Sequence, residues 1–273
     1  PKPSSAASDV YKRQHYVCGS TSHDVGAMFR GAPHGVREFP SGVFLYDTAD
    51  GRRVLFDTGY ATGRWHTGWR GAVYRRLLPP IVGDADDVAA RLRADGVDPA
   101  SVTHVVLSHL HPDHVGGVHR FPHATFVLSA GHERTLSAPR LRAGVLTGLL
   151  PSWFSDAERI VIDEGAFATV EVGGTALRTH DLLGDGSYLV VDLPGHADGH
   201  LGALIERRVL LAGDAAWGSD LIDASGTLKA LPRAVQHDAD RYAATARILG
   251  ELAAAGIRVV CSHDPLDAKE LLS

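Results

Sequence analysis

The chain repeats one order of elements in its two halves, and this repeat constrains its fold more than any other feature. In the first half, a helix pattern over 84–96 precedes the pair Ser108-His109. In the second half, a helix pattern over 238–256 precedes the pair Ser262-His263. The two helix starts and the two Ser-His pairs are each separated by 154 positions. Such a repeat predicts two structurally similar α/β halves that face each other.

Short apolar runs predict the strands of both halves. Residues 43–57 predict a β-hairpin, and the runs 103–107 and 257–261 each predict a buried strand before a Ser-His pair. Apolar strands also end at Asp57 and at Asp214. The alternative is similar α/β patterning without duplication. Because α/β sheets bind ligands at the carboxyl ends of their strands, we expect a ligand site at an edge shared by the two halves.

Composition and charge exclude two classes of partner. The chain carries 27 Lys+Arg against 32 Asp+Glu, which gives a formal charge of −5 with the arginines scattered along it. Nucleic-acid binding needs a concentrated basic face, and a membrane span needs about 18 or more consecutive apolar residues. Neither pattern is found, so we expect no nucleic acid and no membrane partner. The expected protein is cytoplasmic, and a homodimer is left open.

The start of the chain differs from the rest. Residues 1–14 are rich in Ser, Ala and Lys and do not begin with Met. They lack the apolar core of a secretory signal, so we expect a disordered or non-native leader. Residues 15–273 are expected to form a single domain.

The histidines carry the functional signal. Three His and one Asp fall within six positions, in the sequence H-x-H-x-D-H at 109–114. In a turn, ligands at positions i and i+2 can bind one ion while the adjacent Asp and His face another. Imidazole and carboxylate suit Zn²⁺, with Fe and Mn as alternatives. Candidate distant partners, at strand ends or in Gly-rich turns, are His196, Asp214 and His263. Each of these residues can instead be an ordinary capping or solvated side chain.

The order of these motifs is similar to that of the metallo-β-lactamase superfamily. The resemblance extends from Val43 to Pro265. It implies an α/β fold, a four-layer αββα sandwich built from two similar halves. It also implies two metal sites, one formed by His109, His111 and His196, the other by Asp113, His114 and His263, with Asp214 bridging them.

The resemblance places three further residues around the metals. Asp57 resembles the family's early Asp motif, which orients a ligand imidazole. His200 is expected to support the site or to pack against it rather than to bind metal. Trp217 stands where lactonase-like members usually have a Tyr, three positions after the bridging Asp. An indole N–H donates a hydrogen bond, whereas a phenol can also transfer a proton.

Departures from other branches narrow the resemblance to the N-acyl homoserine lactonase-like group. Class B β-lactamases lack a carboxylate at the position of Asp214, and flavodiiron relatives have Glu at the position of His111. Only ten residues follow His263, which disfavours glyoxalase II with its added helical region. The expected substrate is therefore a small-molecule lactone or ester.

The implied mechanism is dinuclear hydrolysis. A metal-bridging hydroxide attacks the carbonyl of the ester or lactone, and Asp113 passes the proton to the leaving group. The alternatives are a thioesterase or other ester hydrolase, a phosphodiesterase, and a mononuclear iron dioxygenase acting on a persulfide.

Two segments are candidates for the substrate wall. Residues 60–80 interleave aromatic side chains with arginines, and residues 141–154 form a second apolar excursion. The first either lines an apolar pocket with a cationic rim or packs its own aromatics at the surface. The second segment forms a lid, an acyl-binding wall or a dimer contact, and the sequence does not distinguish these three roles.

Overall fold

The computed structural model describes residues 13–48, 50–139 and 143–265. Most of the expected leader lies outside the described residues. The first strand begins at Arg13 and pairs from there with the second strand. Among the described helices, none is both long and apolar enough to cross a bilayer.

In the described ranges, twelve strands form two sheets of six. The strands of the first sheet are β1 Arg13–Asp24, β2 Val36–Asp47, β3 Arg53–Phe56, β4 His104–Val106, β5 Thr125–Ser129 and β6 Arg159–Ile162. Those of the second are β7 Ala168–Val172, β8 Thr175–Asp181, β9 Tyr188–Asp192, β10 Leu201–Ile205, β11 Val209–Gly213 and β12 Arg258–Cys261. The helices are α1 Val25–Met28, α2 Gly68–Leu77, α3 Val88–Ala94, α4 Pro112–Val115, α5 Ala130–Ser137, α6 Ala230–Ala234 and α7 Ala239–Ala254.

The pairing of strands reproduces the sequence repeat. In the first sheet, β2 pairs antiparallel with β3, which pairs parallel with β4. In the second sheet, β10 pairs antiparallel with β11, which pairs parallel with β12. The helices that precede β4 and β12, α3 and α7, occupy corresponding places in the chain. Two similar halves are therefore present in the fold.

The core is divided into layers. One apolar cluster joins the facing sides of the sheets and includes Phe56 and Leu211. A second covers the outer side of the first sheet with Leu92 of α3, and a third covers the outer side of the second sheet with Leu249 of α7. Burial of apolar surface on both faces of each sheet stabilises this arrangement. The order helix, sheet, sheet, helix confirms the predicted four-layer sandwich.

The helix starts follow their caps. The first predicted helix starts four residues too early, because 84–86 form a 3₁₀ turn and α3 begins at Val88, after Asp87. The Asp87 side chain accepts hydrogen bonds from the N–H groups of Ala89 and Ala90. Asp238 caps α7 in the same way, so that helix begins where the sequence predicts.

Candidate metal centre

Strand ends from both halves deliver the predicted ligands to one edge. His109 follows β4, Asp214 follows β11 and His263 follows β12, while His196 lies between β9 and β10. His111 caps α4, and Asp113 and His114 lie within its first turn, where Pro112 fixes the first helical position. The structure thus brings together all seven predicted side chains, His109, His111, Asp113, His114, His196, Asp214 and His263.

Three imidazoles converge on one point. His109 Nε2 lies 2.9 Å from His111 Nδ1, and His196 Nε2 lies 3.2 Å from each of these nitrogens. Ligands bound tetrahedrally to Zn²⁺ at the usual Zn–N distance are about 3.3 Å apart. Each neutral ring has a single N–H, so three mutual hydrogen bonds do not account for this geometry. The spacing suits a shared cation.

A second group of potential ligands lies beside the first. Asp113 Oδ2 is 3.6 Å from His114 Nε2 and 3.8 Å from His263 Nε2. All three side chains are buried. Their ligand atoms lie within 4.8 Å of one another, as do those of the first group, so each group can hold a metal ion.

Asp214 lies between the two groups. Its Oδ2 is 3.2 Å from His263 Nε2 and 3.5 Å from His196 Nε2, and its Oδ1 is 3.4 Å from His114 Nε2. Within the described part of the chain, Asp214 Oδ1 and His114 Nε2 are buried without hydrogen-bond partners. Unpaired buried polar atoms are costly, and a cation between them would remove that cost. The donor set therefore fits bound metal.

The outer nitrogens of the imidazoles are fixed by acceptors. His263 donates through Nδ1–H to Pro40 O at 2.7 Å, and His196 donates through Nδ1–H to Gln236 Oε1 at 2.9 Å. His111 donates through Nε2–H to Ala143 O at 3.0 Å. Each acceptor sets the tautomer and leaves the other nitrogen without a proton, as metal binding requires. The backbone and amide acceptors carry no motif, so sequence reasoning missed them.

Asp57 fixes a fourth imidazole. It is fully buried, and its carboxylate accepts hydrogen bonds from Ser108 N at 2.7 Å, Ser108 Oγ at 2.8 Å and His114 Nδ1 at 2.8 Å. Its backbone has a φ of 62°, in the left-handed region that Asp tolerates better than most residues. The Asp57 carboxylate therefore lies behind His114 and orients its imidazole.

Burial and nearby charges shift the pKa values of the site's histidines in opposite directions. Burial lowers the pKa of His109, His111 and His196, which keeps these imidazoles neutral. Burial also opposes the charged form of His114 and of His263, but nearby carboxylates outweigh it and raise both pKa values. The first group is therefore a set of neutral nitrogen donors, whereas carboxylates surround the imidazoles of the second.

Two residues predicted near the site make different contacts. His200 Nε2 accepts the backbone N–H of Asp214 at 3.0 Å, so His200 holds the backbone of that residue. The ring of Trp217 lies 6.3 Å from that of His196 and packs against Phe29 and Tyr242. Neither belongs to a group that can hold metal among the described residues.

A cavity of about 710 Å³ opens beside His111 and His196. Its apolar lining includes Leu110, Val145 and Val161, and its polar lining includes Glu133, Arg134 and Asp198. Gly144, in the segment that supplies Val145, has a φ of +67°, and a Cβ there would lie 2.7 Å from His111 Nε2. Glycine therefore permits the close approach of this segment to the site.

The two predicted excursions differ in their relation to this cavity. Ala143 and Val145 of the 141–154 excursion line it, although residues 141 and 142 lie outside the described residues. The lining contains no residue of 60–80. That segment stacks its own aromatics, with Trp65 6.2 Å from Tyr60 and 5.9 Å from Tyr74 between ring centres.

Comparison with known proteins identifies relatives. A protein-family model described as the metallo-beta-lactamase superfamily matches residues 36–263. The N-acyl homoserine lactonase AttM of Rhizobium johnstonii is 31% identical over 239 residues, 84% of this chain and 83% of that protein.

Solved structures agree in fold. An N-acyl homoserine lactone hydrolase with the product N-hexanoyl-L-homoserine at its catalytic metal center has a TM-score of 0.68 at 18% identity, with 94% of each chain covered. The dizinc quorum-quenching lactonase AidC has a TM-score of 0.56 at 14% identity, covering 95% of this chain and 93% of that one. These likenesses establish the shared fold.

Proposed function

The chain belongs to the metallo-beta-lactamase superfamily, and from this premise we propose that it is a dinuclear metal-dependent hydrolase of small lactones or related carboxylic esters. The observation that supports this most is the position of Asp214 between two complete ligand groups. The chain's similarity to lactonases favours a lactone over a thioester or another ester.

We propose Zn²⁺ as the metal, because neutral imidazoles and carboxylates at these spacings suit it, with Fe and Mn as alternatives. The first ion would be held by His109, His111 and His196, and the second by Asp113, His114 and His263. Asp214 would be shared. Two such ions would activate water and polarise a carbonyl.

The chain's own residues would place the substrate and move the proton. Leu110, Val145 and Val161 form an apolar wall beside His111, suited to an acyl group. Burial opposes ionisation of Asp113, but His114 and His263 lower its pKa, so Oδ2 is available as a proton acceptor. Asp113 would then return that proton to the leaving oxygen.

The test is metal analysis coupled to turnover of lactones, aryl esters, thioesters and phosphodiesters. We expect two metal ions per chain and a preference for lactones. Asp214→Asn should lower kcat/KM at least about 100-fold, since bound metal contributes several kcal/mol to such reactions. Asp223→Asn, at an exposed position, is the matched control.

Two results would overturn the proposal. One is full turnover by Asp214→Asn with the fold retained by circular dichroism. The other is a single iron per chain with oxygen consumption on a persulfide, which would identify the mononuclear dioxygenase instead.

A further inference from the structure

The segment between Asp57 and Asp84 differs in charge from the rest of the chain. It contains no Asp or Glu, although the whole chain has a net charge of −5. It contains four arginines, Arg64, Arg70, Arg75 and Arg76. Within the described ranges, none of the four forms an ion pair with a carboxylate. The cationic charge of this segment is therefore uncompensated locally.

The same segment exposes large apolar side chains. Trp69, Val73 and Leu77 are 65%, 47% and 69% exposed, and they are four residues apart on α2. This spacing places them on one side of the helix. Leu78 and Ile81, 37% and 57% exposed, continue the apolar surface beyond the helix. We call these five residues, with Arg70 and Arg76 that flank them on the helix, the α2 face. Arg75 lies instead over the ring of Trp65, 5.5 Å from its centre.

The inner side of α2 is already packed, so the α2 face is not needed for the core. Tyr74 packs against Trp65, and its hydroxyl is 3.3 Å from that of Tyr60. Trp65 donates through Nε1 to Ala61 O at 2.9 Å. These contacts hold the helix on the molecule and leave the opposite side without cover in the described structure.

Charge distinguishes among the surfaces that can cover the α2 face. A second copy paired through the same face would bring two clusters of arginine together, which like-charge repulsion opposes. An anionic lipid surface instead offers phosphate groups to the arginines and an apolar layer to the exposed side chains. Tryptophan is favoured at such interfaces because its ring is amphipathic.

We propose that the α2 face docks on the surface of an anionic bilayer. Trp69, Val73 and Leu77 enter the boundary between headgroups and acyl chains, while Arg70 and Arg76 contact lipid phosphates. This is peripheral binding, and no helix spans the membrane. It revises the sequence-based expectation of no membrane partner, which considered only a spanning segment.

The position of the face is relevant to amphiphilic substrates. Trp65, behind the α2 face, packs in one cluster with Leu146 and Leu149. The same excursion supplies Ala143 and Val145 to the cavity beside His111. Docking would hold the protein on a surface into which long-acyl esters partition. The docking itself does not depend on the hydrolase proposal.

The test is flotation of the purified metal-loaded chain with vesicles of phosphatidylcholine alone or mixed with phosphatidylglycerol. We expect binding to the mixed vesicles only, weakened by salt. Arg76→Gln should lower the partition coefficient about five-fold, since one arginine near such a surface contributes about 1 kcal/mol. Leu77→Ser should lower it about ten-fold or more, since burying a leucine contributes at least about 1.5 kcal/mol.

Matched variants separate this face from general surface effects. Arg247→Gln and Leu231→Ser change exposed residues on α7 and α6 and should leave binding unchanged. No wild-type binding to the mixed vesicles would overturn the proposal. So would equal binding to neutral vesicles, or unchanged binding by both α2 variants. Self-association that Leu77→Ser abolishes, without vesicle binding, would identify the face as a dimer contact instead.

Discussion

Gln236 and His196 form a buried pair in which Gln236 Oε1 accepts the Nδ1–H of His196 at 2.9 Å. The amide of Gln236 is itself held, because its Nε2 donates to Pro232 O at 3.1 Å. The amide cannot turn without losing that bond. His196 is therefore held in the tautomer whose Nε2 faces His109 and His111.

This pair predicts a specific defect in metal binding. Gln236→Leu removes the acceptor while keeping an apolar side chain of similar size. We expect about 10-fold to 100-fold weaker binding of one metal ion, the usual effect of losing such a partner. Competition with a chromophoric chelator measures it. Gln236→Glu should restore most of the affinity because a carboxylate accepts the same hydrogen bond, and equal affinity in all three proteins would contradict the prediction.

The contacts of Asp57 predict that replacing it weakens binding of the second metal ion and lowers stability. In Asp57→Asn, one carboxylate oxygen becomes an NH₂ donor, which must face an N–H of either Ser108 or His114. We expect a loss of about 1–3 kcal/mol in the free energy of unfolding and a weaker second metal ion. Chemical denaturation and metal titration measure the two effects. Asp47→Asn, at the end of β2, is the control, and a variant with both ions bound normally would refute the role of Asp57.

The ligands could be predicted from sequence because they lie in short local motifs after strands. The hydrogen-bond acceptors that orient these ligands could not be predicted in this way. Pro40 O holds His263 across 223 positions, and a backbone carbonyl has no residue-type signature. The strand β1 was also missed, because its buried Ser20 and Thr21 hide the alternation that marks a strand. Pairing of the strands into a sheet, rather than a local motif, brings Pro40 O to the site.

His132 predicts a change of stability with pH. It is buried, its Nδ1 accepts the N–H of Ser129 at 3.2 Å, and burial lowers its pKa to about 4. The unfolded chain, with a histidine pKa of about 6.5, binds more protons between these values. Stability is therefore full above pH 6.5 and falls as the pH drops toward 4, by about 3 kcal/mol from this group.

The measurement is the free energy of unfolding at pH 7, 5.5 and 4 for wild type and His132→Asn. The variant should lose less stability across this range, and the difference isolates His132 from the other histidines. His123→Asn, at an exposed position, should behave like wild type. Parallel pH profiles for wild type and His132→Asn would show that His132 does not contribute.

The position of Val161 in the cavity wall predicts that a larger side chain there changes the selectivity for acyl chain length. Val161 is 40% exposed, lines the cavity from β6 and is not itself a proposed metal ligand. Val161→Trp should narrow the apolar wall and raise KM for long-acyl substrates about ten-fold, within the range that pockets show for small changes in fit. Short-acyl substrates should keep their kcat and KM, since the metal ligands are untouched.

Kinetics with a series of acyl chain lengths decides the outcome. Val36→Trp places the same ring at an exposed valine outside the cavity lining and should leave the whole series unchanged. If Val161→Trp slows every chain length equally, its effect is on the fold or the metals rather than on the acyl group. If it changes none of them, the substrate does not occupy this cavity, because a tryptophan at this position reduces the space beside His111 in which an acyl chain would lie.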